Sequence, residues 1–359
     1  MTDIDADIQY ALELSMSINE TEVSPKTLSV ISDSTKTEFD TKKEIFIQSF
    51  PNVINSCYID TIILSMFLFP GPLKKYLKNY NKDAGVLMLQ DHIQLLMTSI
   101  RNGDPVTEDR MTGFRNLIIE IGWKDFDDMY DQQDTKEFYS FILEKLCIPA
   151  FKFRRVTYTG AQDISDHGDE EKCWFVPLNI SSENSDGDNI SDLFERWMND
   201  NPSKIRRSII EGTTKKEIDV DCLNTYYLDN QPPIIGLWVN RFPDTKTRYD
   251  TKLQIKKTIY PFKNQQLPIA QRMLVWGIQA IICHRQNFIQ NDPPPDYSPL
   301  NSGHYYALII DPNNNNTTYI FDDLETPALK KVSMNDTSVT DLIKRECVFV
   351  LYTQQFELE

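Results

Sequence analysis

The segment INSCYIDTIILSMFLF, residues 54–69, sets a cysteine between two small polar residues and an apolar run. The run is long enough for a buried helix, and Asn55 or Ser56 is a suitable N-cap for it. Cys57 would then lie in the first helical turn, where the positive end of the macrodipole favours a thiolate. Asp60, one turn on, suits the dipole but disfavours a nearby thiolate. A cysteine ahead of an apolar helix is most often a plain core residue. Its reading as a nucleophile therefore depends on whether the chain also supplies a base, an acid and an oxyanion donor.

Four histidines are available: His92, His167, His284 and His304. His92 falls in a helical pattern and His167 in an acidic stretch. His304 opens NSGHYYALIIDPNNNNTTYIFDD (301–323), which reads as a strand, a polar turn and a returning strand. A turn over 311–315 places Ile310 opposite Asn316 and His304 opposite Asp322. Opposed Cβ atoms lie about 4.5–5.5 Å apart. A carboxylate there can hold one imidazole nitrogen and leave the other for a thiol, as in a hydrolytic triad. A one-residue slip would hand that place to Asp323. Asn52, five residues before Cys57, can offer its amide to a tetrahedral oxyanion beside the Cys57 N–H.

The chain around these residues is that of an ordinary soluble protein: 359 residues, 40% hydrophobic and 25% charged. Its net charge of −16 argues against nucleic acid as partner and suits a partner with a basic face. No signal peptide or membrane-length apolar run is visible, so a cytoplasmic protein without a membrane association is expected. The six cysteines are scattered, with no C-x-x-C pair, and are read as free thiols. No metal or other cofactor is expected. Abundant Asn, Ile and Lys suggest an AT-rich genome, such as that of a large DNA virus or a protist.

Residues 21–44 are rich in Ser, Thr and charge and read as a flexible linker between a short N-terminal helix (1–20) and a globular part (45–359). Within the globular part, residues 57–150 show helical spacing. Strand patterns then dominate: CWFVPLNI, PPIIGLWVNRF, QIKKTIYPF, VWGIQAIICH, HYYALII, TYIFDD and CVFVLYT. The stretch 181–230 is polar and insertion-like, with one helix around Ile190–Met198. Helices followed by strands predict an α+β fold with a cleft where the two halves meet.

These segments resemble the ubiquitin-specific proteases. PNVINSCYIDTIILSMF is similar to their cysteine box, YDQQDTKEFYSFILEKL to their QQDxxEF helix, and VWGIQAIICH, SGHYYALII, YIFDD and CVFVLYT to the histidine box and closing strands. The blocks come in the family's order over roughly residues 46–353. The resemblance implies a papain-like fold with a helical thumb (about 50–150), a β palm and reduced β fingers. It implies a deubiquitinating thiol protease that cuts after the C-terminal glycine of ubiquitin. Cys57 then matches the nucleophile, His304 the base, Asp322 the third member and Asn52 the oxyanion residue. Asp134 matches an acid that holds ubiquitin's arginine-bearing tail, and Gly303 and Tyr305 match positions lining the channel for its Gly-Gly end. Ubiquitin and ubiquitinated proteins are the partners implied, with the enzyme a monomer. Two residues depart from the pattern: Ile54 stands where the family has Gly, and Asp60 where it has Asn. Cys173 and Cys222 are single where fingers commonly carry zinc-binding pairs. A catalytically inactive ubiquitin-binding scaffold and a protease for another ubiquitin-like modifier remain the alternative readings.

In the N-terminal helix, Ile8, Ala11, Leu12, Ser15 and Met16 share one face behind Asp3, Asp5 and Asp7. Small Ala11 and Ser15 let an apolar patch approach closely, and the pattern resembles a ubiquitin-interacting motif. A helix docked on the protease body is the competing reading.

Overall fold

The computed structural model describes residues 45–355, apart from 54, 70, 80–82, 124–132, 160–163, 181–186, 200, 212–213, 242–248, 264, 266–267, 286–302, 313 and 315–316. The N-terminal segment, with Ile8, Ala11, Leu12 and Ser15, lies outside the described residues.

Helices come first. α1 (Cys57–Phe67) is buried at every residue, as expected of a helix that is apolar all round. After a 3-10 turn (Pro72–Leu77) come α2 (Ala84–Asn102), α3 (Glu108–Glu120) and α4 (Thr135–Lys145). Local chemistry marks their ends. Asp83 accepts the Val86 N–H at the start of α2, and Gly103, at φ 80°, closes it in the left-handed region. Asp134 caps α4 by accepting the Lys136 N–H.

Strands follow: β1 (Phe151–Tyr158), β2 (Ile164–Cys173), β3 (Phe175–Asn179), β4 (Asp188–Asn189), then helix α5 (Ile190–Asn199), β5 (Asn201–Glu211), β6 (Thr214–Leu228), β7 (Ile234–Asn240), β8 (Leu253–Gln254) and β9 (Thr258–Ile259). Beyond them lie α6 (Ile269–Arg272), β10 (Trp276–Arg285), β11 (His304–Asp311), β12 (Thr317–Phe321), β13 (Leu329–Val332), α7 (Thr337–Glu346) and β14 (Cys347–Gln354). The large sheet runs β13-β12-β11-β10-β14-β7-β3, with β9 paired to β10; a second runs β2-β1-β6-β5. The chain enters the body where Ile47 bridges Leu329 at the start of β13.

Both faces of the large sheet are covered. Ala280, Ile282, Ala307 and Ile309 join the core shared with α1 to α4, while their neighbours Ile281, Cys283, Tyr306 and Leu308 join a second core on the far face. This period of two inside continuous apolar runs is the mark of strands buried on both sides. Polar side chains fasten α1 to this frame. Gln279 Nε2 donates to the carbonyls of Ser65 and Met66 at 2.9 and 2.8 Å, and Arg101 to those of Leu68 and Phe67 at 2.9 and 3.0 Å. The last carbonyls of a helix otherwise lack partners.

Four expectations change. The polar stretch 181–230 is mostly strand: β5 and β6 form a long hairpin, and the alternation of Ile218, Val220 and Cys222 with acidic residues is its one sequence signal, easily lost in so polar a stretch. QIKKTIYPF holds only the two-residue strands β8 and β9. The β11–β12 pairing is two residues away from the expected register, with Ala307 opposite Phe321 and Asp311 opposite Thr317. A slip of two preserves the face, because side chains alternate with a period of two. Helix α7 and strand β13 lie where no element was expected; Ile343 alone is buried in α7, too little for a readable stripe.

Candidate active site

Cys57 is the first residue of α1 and is 3% exposed. Ser56 holds the N-cap position, but its hydroxyl does not cap the helix; Oγ accepts the Val53 N–H at 3.1 Å and braces the approaching turn. The left-handed residue of that turn is Asn55, at φ 54°. Asparagine tolerates this conformation far better than a β-branched residue does. Ile54 itself lies outside the described residues. Asn52 is exposed in the same turn.

The helix dipole does not govern the Cys57 thiol. Burial pushes it up to about 12; backbone hydrogen bonds at Tyr305 and Tyr58 pull it down, and the charges of Asp323 and Asp60 push it further up. The sulfur thus rests as a thiol against the strand at the residue after His304. Asp60 is itself kept neutral, first by burial and second by the charge of Asp323. Its negative charge beside Cys57 is therefore disfavoured, and its opposition to a thiolate grows as it ionises.

His304 opens β11 and is 4% exposed. Its Nε2 lies 2.7 Å from Asp322 Oδ1 and 3.3 Å from Asp323 Oδ1. Asp322 stands one residue past the end of β12, where its N–H donates to the Ala328 carbonyl. The contact with His304 is thus made by a chain turning off the sheet rather than by a directly opposed pair. Burial raises the Asp322 carboxyl, but the hydrogen bond and charge of His304, the Leu324 N–H and Arg285 outweigh it and leave the group below its ordinary value. An ionised Asp322 can only accept, so the proton of this contact sits on His304 Nε2. Asp323 differs: burial, with the neighbouring charge of Asp322, lifts it to about 6 against the pull of His304, and among the described residues no other side chain hydrogen-bonds its oxygens.

Gly303, at φ 142°, sits where an added Cβ would fall 2.5 Å from His284 Nε2 and 2.6 Å from the Arg285 carbonyl. Glycine is therefore required there by the protein's own packing. The Tyr305 ring is buried between α1 and α4: Thr61 Oγ1 donates to its carbonyl at 3.4 Å, its hydroxyl bonds to Thr135, and it packs 4.6 Å from His284. Asp134, at the head of α4, lies near enough for its charge to act on the Tyr305 hydroxyl.

Two residues carry more than their sequence suggested. Arg285 lies opposite His304 in the β10–β11 ladder and reaches Asp322 Oδ2 at 3.5 Å; correct strand pairing would have singled it out. Arg241, in the WVNRF run, is fully buried and donates to the carbonyls of Cys347, Tyr249, Thr251 and Lys344 at 2.7–2.9 Å. A guanidinium with its donors so engaged is a structural pin.

A thiol, an imidazole held by a carboxylate, and a second buried acid are the parts of a cysteine hydrolase. Comparison with protein families finds that the model described as "Ubiquitin carboxyl-terminal hydrolase" matches residues 49–347. No curated protein matches the sequence. Among solved structures, the chain is similar to a SAGA Ubp8/Sgf11/Sus1/Sgf73 DUB module bound to monoubiquitin, with TM-score 0.60 and 12% identity over 99% of this chain and 76% of that one. It is also similar to the module bound to ubiquitin aldehyde, with TM-score 0.58 and 13% identity over 86% and 70% of the two chains. A yeast SAGA DUB module carrying an Sgf73 mutant gives TM-score 0.57 and 11% identity over 88% and 70%. At these identities the likeness establishes the shared fold.

Proposed function

The chain belongs to the ubiquitin carboxyl-terminal hydrolase family, a family of cysteine-type ubiquitin hydrolases, and from that membership we propose how its residues divide the work. The activity is deubiquitination. Cys57 attacks the carbonyl of the bond that follows ubiquitin's C-terminal glycine, and His304 Nδ1 takes the thiol proton. Asp322 holds the ring by its Nε2–H and stabilises the imidazolium. A thiol resting at about 12 needs such a base, because it is protonated until substrate arrives. The oxyanion forms beside the Cys57 N–H and the Asn52 amide. His304 then protonates the departing amine, and water hydrolyses the thioester.

Ubiquitin is the substrate partner, and the ubiquitin-bound modules of the same fold support this reading. Asp134 receives an arginine of its tail, while the backbone at Gly303 and Tyr305 borders the channel for the terminal glycines. The six free thiols suit a reducing compartment such as the cytoplasm. The N-terminal helix, through Ile8, Ala11, Leu12 and Ser15, adds a weak second grip on ubiquitin chains by effective concentration.

The observation that carries the mechanism is the 2.7 Å contact of His304 with Asp322, next to a thiol lodged at Tyr305. A ubiquitin probe with a C-terminal electrophile tests it. Labelling that disappears in Cys57→Ala is the expected result. Ubiquitin binding without labelling would make the chain a scaffold, and labelling only by another modifier's probe would change the substrate. For the helix, Ala11→Arg should slow cleavage of polyubiquitin several-fold and spare a monoubiquitin substrate; equal effects on both would remove the helix from the account.

A further inference from the structure

Lys136 stands two residues after Asp134, in the first turn of α4, and its ammonium lies 2.6 Å from Asp134 Oδ2. The same ammonium sits 3.8 Å from the ring centroid of Trp238, on β7. The other oxygen of Asp134 accepts the Lys136 N–H at 3.0 Å, as the helix cap. Both side chains are largely withdrawn from water, at 19% and 12% exposure for Lys136 and Asp134. The acid is thus already engaged on both oxygens: one serves the helix and the other holds a cation of the protein itself.

We propose that Lys136 is a specificity-determining residue, competing with a cationic side chain of the substrate's C-terminal tail for Asp134. The proposal rests on the reading that Asp134 receives an arginine of that tail. A guanidinium binds a carboxylate through two parallel hydrogen bonds, a geometry an ammonium cannot match. To form both bonds it must take Oδ2 from Lys136. Trp238 supplies the place to which the ammonium withdraws, since the face of an indole attracts a cation. A neutral tail leaves Lys136 where it is and Asp134 neutralised. Lys136 therefore softens the penalty that an unpaired, half-desolvated carboxylate would impose on a tail lacking arginine. Selection against a wrong partner often works through such unpaired buried charge.

The test compares two fluorogenic substrates, ubiquitin with its native tail and ubiquitin with the tail arginines replaced by alanine, on the full chain. The quantity read is the ratio of their kcat/KM values. Lys136→Met keeps the aliphatic stem on Trp238 and removes the charge. It should widen the ratio about five- to tenfold, mainly through KM, as expected when a partly buried ion-pair partner is deleted. Lys136→Arg keeps the charge and gains the fork that grips a carboxylate, so it should narrow the ratio. Asp134→Asn should collapse the ratio, and adding Lys136→Met to Asp134→Asn should change nothing further. If Asp134→Asn leaves the ratio untouched, the assigned role of Asp134 fails and the proposal with it. If Asp134→Asn collapses the ratio while Lys136→Met leaves it unchanged or narrows it, the role of Asp134 stands and the Lys136 proposal is overturned. Should Lys136→Met fold poorly, Lys136→Gln gives the same reading.

Discussion

The two larger sheets of this protein are built on opposite terms. In the eight-stranded sheet, β11 and β14 are buried at every residue but the last, and apolar cores lie on both faces. In the four-stranded sheet, β5 has no buried residue among those described, and the first half of β6 is likewise open to water. Its side chains meet in loose charge pairs, Arg206 with Asp219 at 3.5 Å and with Glu217 at 3.8 Å, and Lys204 with Asp221 at 3.8 Å. Close packing holds catalytic groups in place, because a packed interior resists displacement. An exposed hairpin held by screened pairs can adapt to a partner's surface at little cost.

The sharpest test of that contrast substitutes one residue in each sheet. Phe349, in β14, packs edge-on against Tyr139 of α4 at 4.9 Å and lies close over Gly236 of β7. Phe349→Ala should cost about 3–5 kcal/mol of unfolding free energy, the usual range for a buried phenylalanine. Arg206→Ala should stay within about 0.5 kcal/mol. Urea unfolding measures both, and comparable losses would erase the distinction between the sheets.

A smaller effect is expected from Asp60→Asn, which probes the cost of an acid in the tightly packed half. Folding raises the Asp60 pKa, so the folded state holds the proton longer than the unfolded chain does. Stability is therefore lost as pH climbs from the ordinary carboxylate range toward the raised value, by about 1.4 kcal/mol per unit of difference. Asn removes that loss. The variant should match the unaltered protein near pH 3 and exceed it at neutral pH. Alkylation of Cys57 should be faster in the variant as pH rises, because the unaltered Asp60, once ionised, bears a charge beside the thiol. Identical unfolding and alkylation profiles would show that Asp60 is not the strained acid described.

The legible parts of the chain were those whose neighbours in sequence are also their neighbours in space. α1, α4 and the strands β7, β10, β11 and β14 announce themselves by apolar runs and caps. The closeness of His304 to Asp322 is legible from a hairpin, but the ladder is two residues off the expected register and the contact is made where Asp322 turns off the sheet past β12. In α7 only Ile343 is buried, and in the β5–β6 hairpin β5 buries none of its described residues, so the alternation of β6 alone stands inside a polar stretch. At Gly303 a side chain is excluded by His284 and the Arg285 carbonyl of β10, a contact between distant parts of the chain that no local pattern displays.

By itself, then, the order of residues determined which elements form and which side chains were candidates for chemistry, because periodicity and capping act over one or two turns of chain. Tertiary structure alone decided the state of those side chains. Burial overrides the helix dipole at Cys57, desolvation and Asp323 neutralise Asp60, and Asp322 and Asp323, adjacent in the chain, are driven to opposite protonation tendencies. Dielectric environment and charge proximity are properties of the assembled interior, and they vary over distances that sequence separation does not measure.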